Sequence, residues 1–308
     1  MGFLRLAVAS VILQNYKNKE RQINMKLNEI NIRDPFVLPV DGKYYMYGTR
    51  GSKNFGEASG FDVFVSEDLE NWSEPHEVFA ASEAFWADQN FWAPEVHVYN
   101  GKYYMFASFK ADGVRRGSQA LVADTPMGPF VPLKNDATTP RDWECLDGTL
   151  YIAKDGKPYM VFCHEWVQVK DGEMCAVELT PDLKDMAGEP RLLFHASEPH
   201  WANKGADSYV TDGPFMYRMQ DGRLLMLWSS FSGKDYVEAL AVSDNGDITG
   251  NWTHLPDLLF EKDGGHGMIF RTFEGELCFI MHSPNLPAGD ERPRIIPLVE
   301  ENGTLRAK

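Results

Sequence analysis

From residue 30 onward the apolar positions fall into short runs broken by Gly, Asp and Asn, and long helical periodicity is nearly absent. One cassette recurs five times. A short strand ending on a polar or charged residue leads into a turn. An aromatic-rich or apolar strand follows, then a strand of small and β-branched residues. The turns read Asp41-Gly42-Lys43, Asn100-Gly101-Lys102, Asp155-Gly156-Lys157, Asp221-Gly222-Arg223 and Glu274-Gly275-Glu276. Asn-Gly and Asp-Gly between apolar runs signal tight hairpins, because both residues tolerate positive φ. The strands after the turns are alike, as in Tyr44-Tyr45-Met46-Tyr47, Tyr103-Tyr104-Met105-Phe106 and Leu224-Leu225-Met226-Leu227.

The turn glycines are separated by 59, 55, 66 and 53 residues. That period, with three or four strands per unit, is the length of a β-propeller blade. Third strands are visible, as in Phe61-Asp62-Val63-Phe64-Val65-Ser66. Outer strands end near Trp72-Ser73, Gly128-Pro129-Phe130 and Gly250-Asn251-Trp252. No low-complexity linker divides residues 30–308. The expectation is an all-β, five-bladed β-propeller forming a single domain over residues 25–308. A β-sandwich with accidental internal similarity is the alternative, and five matching cassettes argue against it. Residues 1–24 are set apart as an appended or poorly ordered N-terminal segment. Their apolar stretch, residues 4–13, carries Arg5, is too short to span a membrane and is followed by no clear small-x-small cleavage site. The compartment therefore stays open between periplasm and cytoplasm.

Composition narrows the partners. The 308 residues are 44% hydrophobic and 24% charged, ordinary for a globular chain. The formal net charge is −15, and no Lys/Arg run is long enough to make a basic patch. Nucleic acid and anionic membranes are poor partners for such a surface, whereas a neutral polymer is the least excluded. Aromatic residues reach 13%, with 8 Trp and 12 Tyr. Flat rings suit the apolar faces of sugars, although aromatics also favour strands. The four cysteines include no C-x-x-C pair, which argues against a zinc site of that type. Cys163 and Cys175 flank a hairpin and could meet across it, though buried free thiols are the commoner outcome.

The first strand of a propeller blade lines the central channel, so residues at its end face the funnel mouth. Five candidates hold that place: Asp34, the segment Trp92-Ala93-Pro94-Glu95, Asp147, Asp212 and His266. Each lies six to ten residues before its turn glycine. Carboxyl groups held close cannot all ionise freely, so at least one pKa rises. A protonated acid beside an ionised one is the division of labour that glycosidic cleavage requires. Any one of these Asp residues reads equally as a turn residue. Three at the same blade position favour chemistry.

Arg33-Asp34-Pro35, Trp92-Ala93-Pro94, Leu146-Asp147-Gly148, Asp212-Gly213-Pro214 and Gly265-His266-Gly267, in this order and spacing, resemble glycoside hydrolase family 43 over residues 30–308. The resemblance implies a five-bladed propeller and hydrolysis with inversion of plant-wall glycans, of the α-L-arabinofuranosidase or β-xylosidase type. It implies Asp34 as general base, Asp147 as the residue that tunes and orients the acid, and the fourth-blade carboxyl as proton donor. It implies that Trp92 walls the sugar pocket and that His266 lies near a calcium ion or water cluster on the axis. Phe91, His266 and Arg292 join Trp92 as expected substrate contacts.

One departure stands out. The fourth-blade motif of the family carries Glu before Gly-Pro, and this chain has Asp212, one methylene shorter. Glu95, Glu144, Glu165 and Glu198 are the other acids available as donors, and Trp143-Glu144-Cys145 also resembles the acid motif of the fructan-cleaving propellers. A single imidazole cannot hold calcium, which prefers many oxygen ligands, so His266 reads equally as a hydrogen-bond partner of a carboxylate. A carbohydrate-binding propeller without catalysis is the competing function. The pair Asp34 and Asp147 argues against it, since crowded carboxylates cost stability. Loops 50–60, 108–117 and 195–209 are expected to rim the funnel and set the sugar and linkage.

Overall fold

The computed structural model describes residues 24–51 and 60–308. The expectation for residues 1–24, and most of the rim loop 50–60, fall outside the described residues.

The chain builds five antiparallel sheets in sequence order. Their first strands are Ile32–Val40, Gln89–Tyr99, Cys145–Ile152, Asp212–Arg218 and Gly265–Arg271. Their second strands are Lys43–Arg50, Lys102–Ala111, Pro158–His164, Leu224–Ser232 and Leu277–Ser283. Each first strand packs on the first strands before and after it, and the fifth returns to the first, closing a ring. The sheets are the blades of a five-bladed propeller, and the only α-helix among the described residues is the single turn Trp166–Val169. Blades two to five each add a third and a fourth strand. Blade one is larger: Asn71–Trp72 and His76–Ala80 both pair with Gly60–Ser66, and Met25–Lys26 is added outside.

Turn chemistry explains the hairpins, with one refinement. In blades one and two the loops are the two residues Asp41-Gly42 and Asn100-Gly101, all four at positive φ, as a type I′ turn requires. In blades three to five the pairing stops earlier, at Ile152↔Pro158, Arg218↔Leu224 and Arg271↔Leu277. There the loops span residues 153–157, 219–223 and 272–276, and only the glycine takes positive φ.

The core lies between blades and is filled from the second and third strands, with Trp72, Tyr47, Phe61, Phe106, Phe162 and Trp228 fully buried. Burying one such aromatic contributes about 1.5–3 kcal/mol, and that drives the blades together. All four cysteines are buried free thiols; Cys163 stands opposite Met174, and Cys175 opposite Phe162.

Blades one and five meet without sharing a strand among the described residues. Polar groups tie them instead. Arg33 donates to Glu291 Oε1 at 3.1 Å and to Asn285 Oδ1 at 2.6 Å, and Asn31 donates to the carbonyls of Gly289 and Glu291. Glu291 is fully buried, so this ion pair is shielded from solvent.

Candidate active site

Every first strand is bulged near its start, between Arg33 and Phe36, Trp92 and Glu95, Leu146 and Thr149, Asp212 and Phe215, and Gly265 and Met268. The first unpaired residue of each bulge takes positive φ: Asp34 (53°), Ala93 (48°), Asp147 (57°), Gly213 (52°) and His266 (51°). Non-glycine residues seldom adopt this conformation, and such residues cluster at functional sites. A bulge re-aims its side chain, and here it turns Asp34, Asp147 and His266 toward one another. Nδ1 of His266 lies 3.3 Å from Asp34 Oδ1 and 3.7 Å from Asp147 Oδ2.

This register corrects one expectation. Asp212 does not occupy the place of Asp34 and Asp147; Gly213 does. Asp212 stands one residue earlier, where the other blades carry Arg33, Trp92, Leu146 and Gly265. Each of these five pairs directly with a second-strand residue: Thr49, Ser108, Cys163, Ser229 or His282. Glycine is required at 213, because a Cβ there would meet His266 Cδ2 at 2.7 Å.

The second-strand partners form a layer that the sequence reading did not single out. Thr49 Oγ1 accepts the Ala93 N–H at 2.8 Å, and Ser108 Oγ accepts the Asp147 N–H at 2.8 Å. Ser229 Oγ accepts the His266 N–H at 2.7 Å, and His282 Nδ1 accepts the Asp34 N–H at 3.2 Å. Each bond runs from the bulge of one blade to the second strand of the blade before it. The fourth blade breaks the pattern. The equivalent acceptor there is the thiol Cys163, and the Gly213 N–H goes instead to Asp147 Oδ2 at 3.0 Å. A sequence signal existed: Thr49, Ser108, Cys163, Ser229 and His282 all follow their turn glycine by the same interval.

Electrostatics separate the three acids. Burial pushes Asp34 up, but His266 first, then Arg33 and the Thr49 hydroxyl at 2.5 Å, outweigh it and hold Asp34 below the usual carboxylate range. Burial, then the charge of Asp34, drives Asp147 well above that range. Burial and Asp147 together raise Asp212 to about 7, against the opposing pull of His266 and of Tyr236, whose hydroxyl donates to Asp212 Oδ2 at 3.0 Å. Asp147 and Asp212 therefore titrate as a coupled pair that retains a proton near neutrality, beside an ionised Asp34. Of the two, Asp212 is the more open; Asp147 is buried.

His282 is fully buried and pushed down to about 3, first by burial and then by Arg33. It stays neutral, and its acceptor Nδ1 places the tautomeric proton on Nε2, which faces Asn285 Oδ1 at 3.4 Å.

Trp92 is half-buried at the funnel, with the Arg116 guanidinium 4.0 Å from its ring centroid. Two expected contacts lie elsewhere. Phe91 is 1% exposed and packs against Phe61, Phe79, Phe85 and Phe109, so it is a core residue. Arg292 spends its guanidinium on the carbonyls of Asn28, Gly289 and Glu291, anchoring the N-terminal edge of blade one to blade five. Among the spare acids, Glu144 is held below the usual range: burial is outweighed by the Arg116 N–H, Lys110 and Arg115. Glu95 accepts from Thr149, and Glu198 accepts the His195 N–H. His266 turns its Nδ1 to Asp34 and Asp147, and no group of three or more His, Cys, Asp or Glu among the described residues is arranged to hold a metal ion.

A five-bladed propeller with such acids on its axis belongs to the class of propeller glycoside hydrolases. The sequence pattern of Glycosyl hydrolases family 43 matches residues 28–296, and the chain belongs to that family. An endo-arabinase from Bacteroides thetaiotaomicron VPI-5482 superposes with a TM-score of 0.83 and 42% identity, covering 91% of this chain and 98% of that one. A thermostable family-43 glycoside hydrolase superposes with a TM-score of 0.81 and 25% identity, covering 92% of this chain and 96% of that one. The extracellular endo-α-(1→5)-L-arabinanase 1 of Bacillus subtilis is 27% identical over 153 residues, and that match spans 46% of each chain, under half the length of the relative.

Proposed function

We propose that this chain hydrolyses the glycosidic bonds of arabinose-containing plant-wall glycans, with α-1,5-linked arabinan as the first candidate, by single displacement with inversion. The observation that carries the chemistry is the opposed protonation of two axial acids. Asp34 is held ionised by His266, Arg33 and the Thr49 hydroxyl, and Asp212 is raised to about 7. An ionised carboxylate can take a proton from water, and a protonated one can give a proton to the departing oxygen. In this reading Asp34 activates water, Asp212 protonates the leaving group, and Asp147 orients the fourth blade through the Gly213 N–H. Tyr236 donates to one oxygen of Asp212, which leaves the other to carry the proton.

The choice of arabinan is supported by the 42% identical endo-arabinase and the Bacillus arabinanase. It refines the sequence-based expectation, which divided between arabinofuranosides and xylosides. The test is a screen of purified protein against linear arabinan, α-1,5-arabino-oligosaccharides, xylan, and aryl arabinofuranosides and xylosides. Turnover confined to xylosides would overturn the substrate; no turnover of any glycoside would overturn the reading.

A further inference from the structure

Between blades two and three, beside the axial acids, sits an ion pair that the mechanism above does not use. Glu165 lies one residue beyond the rung pairing Cys145 with His164, at the end of blade three from which Asp147 projects. Its N–H donates to the Glu144 carbonyl at 2.8 Å, which fixes its backbone. Arg116 comes from Val114–Ala123 in blade two, donates from Nε to Glu165 Oε2 at 3.0 Å, and lays its guanidinium over Trp92 at 4.0 Å. Arg116 and Glu165 are 8% and 7% exposed. A pair this enclosed is oriented, not merely neutralised.

The two oxygens of Glu165 differ. Oε2 is taken by Arg116. Oε1 accepts no hydrogen bond among the described residues, and it is not one of the buried atoms left unpartnered. It therefore keeps contact with solvent at the end of blade three from which Asp147 projects. The Glu165 charge helps to raise both Asp147 and Asp212. A carboxylate paired with Arg has acceptor capacity only, and what it lacks is a donor. Sugar hydroxyls supply one. A uronate would bring like charge and be repelled.

We propose that Glu165, clamped by Arg116, is a specificity-determining substrate contact whose Oε1 accepts a hydroxyl of the neutral sugar next to the cleaved bond. The proposal rests on the glycosidase reading above and adds a residue that its motifs do not contain. Arg116 serves two surfaces at once, holding Trp92 and aiming Glu165, and so links the aromatic wall of the pocket to its polar one.

The test compares wild type with Glu165→Gln on an aryl α-L-arabinofuranoside and its 2-deoxy and 3-deoxy analogues. Glu165→Gln should lower kcat/KM on the parent sugar by about 10- to 100-fold, as expected for one hydrogen bond to a charged acceptor. On the analogue lacking the contacted hydroxyl, the two proteins should react alike. Equal losses on parent and on both analogues, or no loss at all, would overturn the proposal. If Glu165→Gln melts at a lower temperature than wild type, Arg116→Lys gives the second reading. It keeps a cation beside Glu165 but loses the fixed fork, so it should show a smaller loss with the same dependence on the hydroxyl. A loss blind to the hydroxyl in Arg116→Lys would also overturn the proposal. Should wild type itself neither cleave nor bind any neutral arabinoside, by turnover and by calorimetric titration with arabino-oligosaccharide, the glycosidase reading fails, and this contact falls with it.

Discussion

Tyr236 donates its hydroxyl to Asp212 Oδ2 at 3.0 Å, the one side-chain hydrogen bond to Asp212 among the described residues. It stabilises the ionised form of an acid otherwise raised by burial and by Asp147. The expected profile of kcat/KM against pH is therefore a bell. Activity falls on the acid side as Asp34 protonates, below the usual carboxylate range, and on the basic side near 7 as Asp212 loses its proton. Tyr236→Phe removes a stabiliser of the charged form, so the basic limb should move upward by about one pH unit. A limb that stays in place, or moves down, would assign it to another group.

Leaving-group quality separates the two axial acids. A general acid contributes about 10²–10⁴-fold, mostly where the leaving oxygen is poor. Asp212→Ala should lose about that factor on arabino-oligosaccharide while sparing an activated aryl glycoside. Asp34→Ala should lose activity on both, since the attacking water is no longer activated. Proton NMR of the fresh product should show the inverted anomer, and retention would contradict the water-activating role of Asp34.

Gly213 combines three constraints: positive φ, a donated N–H and contact with His266. Gly213→Ala should cost about 1–3 kcal/mol of stability. It should cost far more in activity, because the displaced groups are His266 and Asp147. Chemical denaturation and initial rates on one preparation measure both. Parallel small losses would show that the bulge does not position these groups.

Glu238 lies behind His266, fully buried, accepting from Ser229 Oγ at 2.8 Å and the Gly267 N–H at 3.1 Å. Burial raises it to about 8. The folded protein holds a proton there that the unfolded chain releases near 4.5. Its contribution to stability is thus complete below pH 4.5 and is lost as pH rises through 8. Glu238→Gln should flatten the fall in melting temperature between those limits, by a few degrees at pH 8. An unchanged slope would show that Glu238 is ionised in the folded state.

The fold was readable because a propeller repeats its hydrophobic logic. Asp41-Gly42 and Asn100-Gly101 form the two-residue turns that their chemistry demands. The longer loops at residues 153–157, 219–223 and 272–276 were not distinguished, since each also contains an acidic residue followed by glycine. Asp34, Asp147 and His266 were legible from their motifs and do converge. The one-residue offset of Asp212 was not, because it follows from bulge register, which composition does not encode. Phe91 misled by adjacency: it neighbours Trp92, but successive residues of a strand point to opposite faces. The role of Arg292 depends on contacts hundreds of residues away, at Asn28, and no local pattern carries that.

The junction between blades one and five places Asp34, the proposed base, at the joint of the ring. Arg33, which binds Glu291 and Asn285 across that joint, is the immediate neighbour of Asp34, and His282 reaches Asp34 from the opposite side. Arg33 travels with Asp34, but His266 and His282 belong to blade five, so any parting of the two blades would take the His266 side chain and the His282 acceptor away from Asp34. In the proposed mechanism the state of the base thus depends on the ring being closed at this joint.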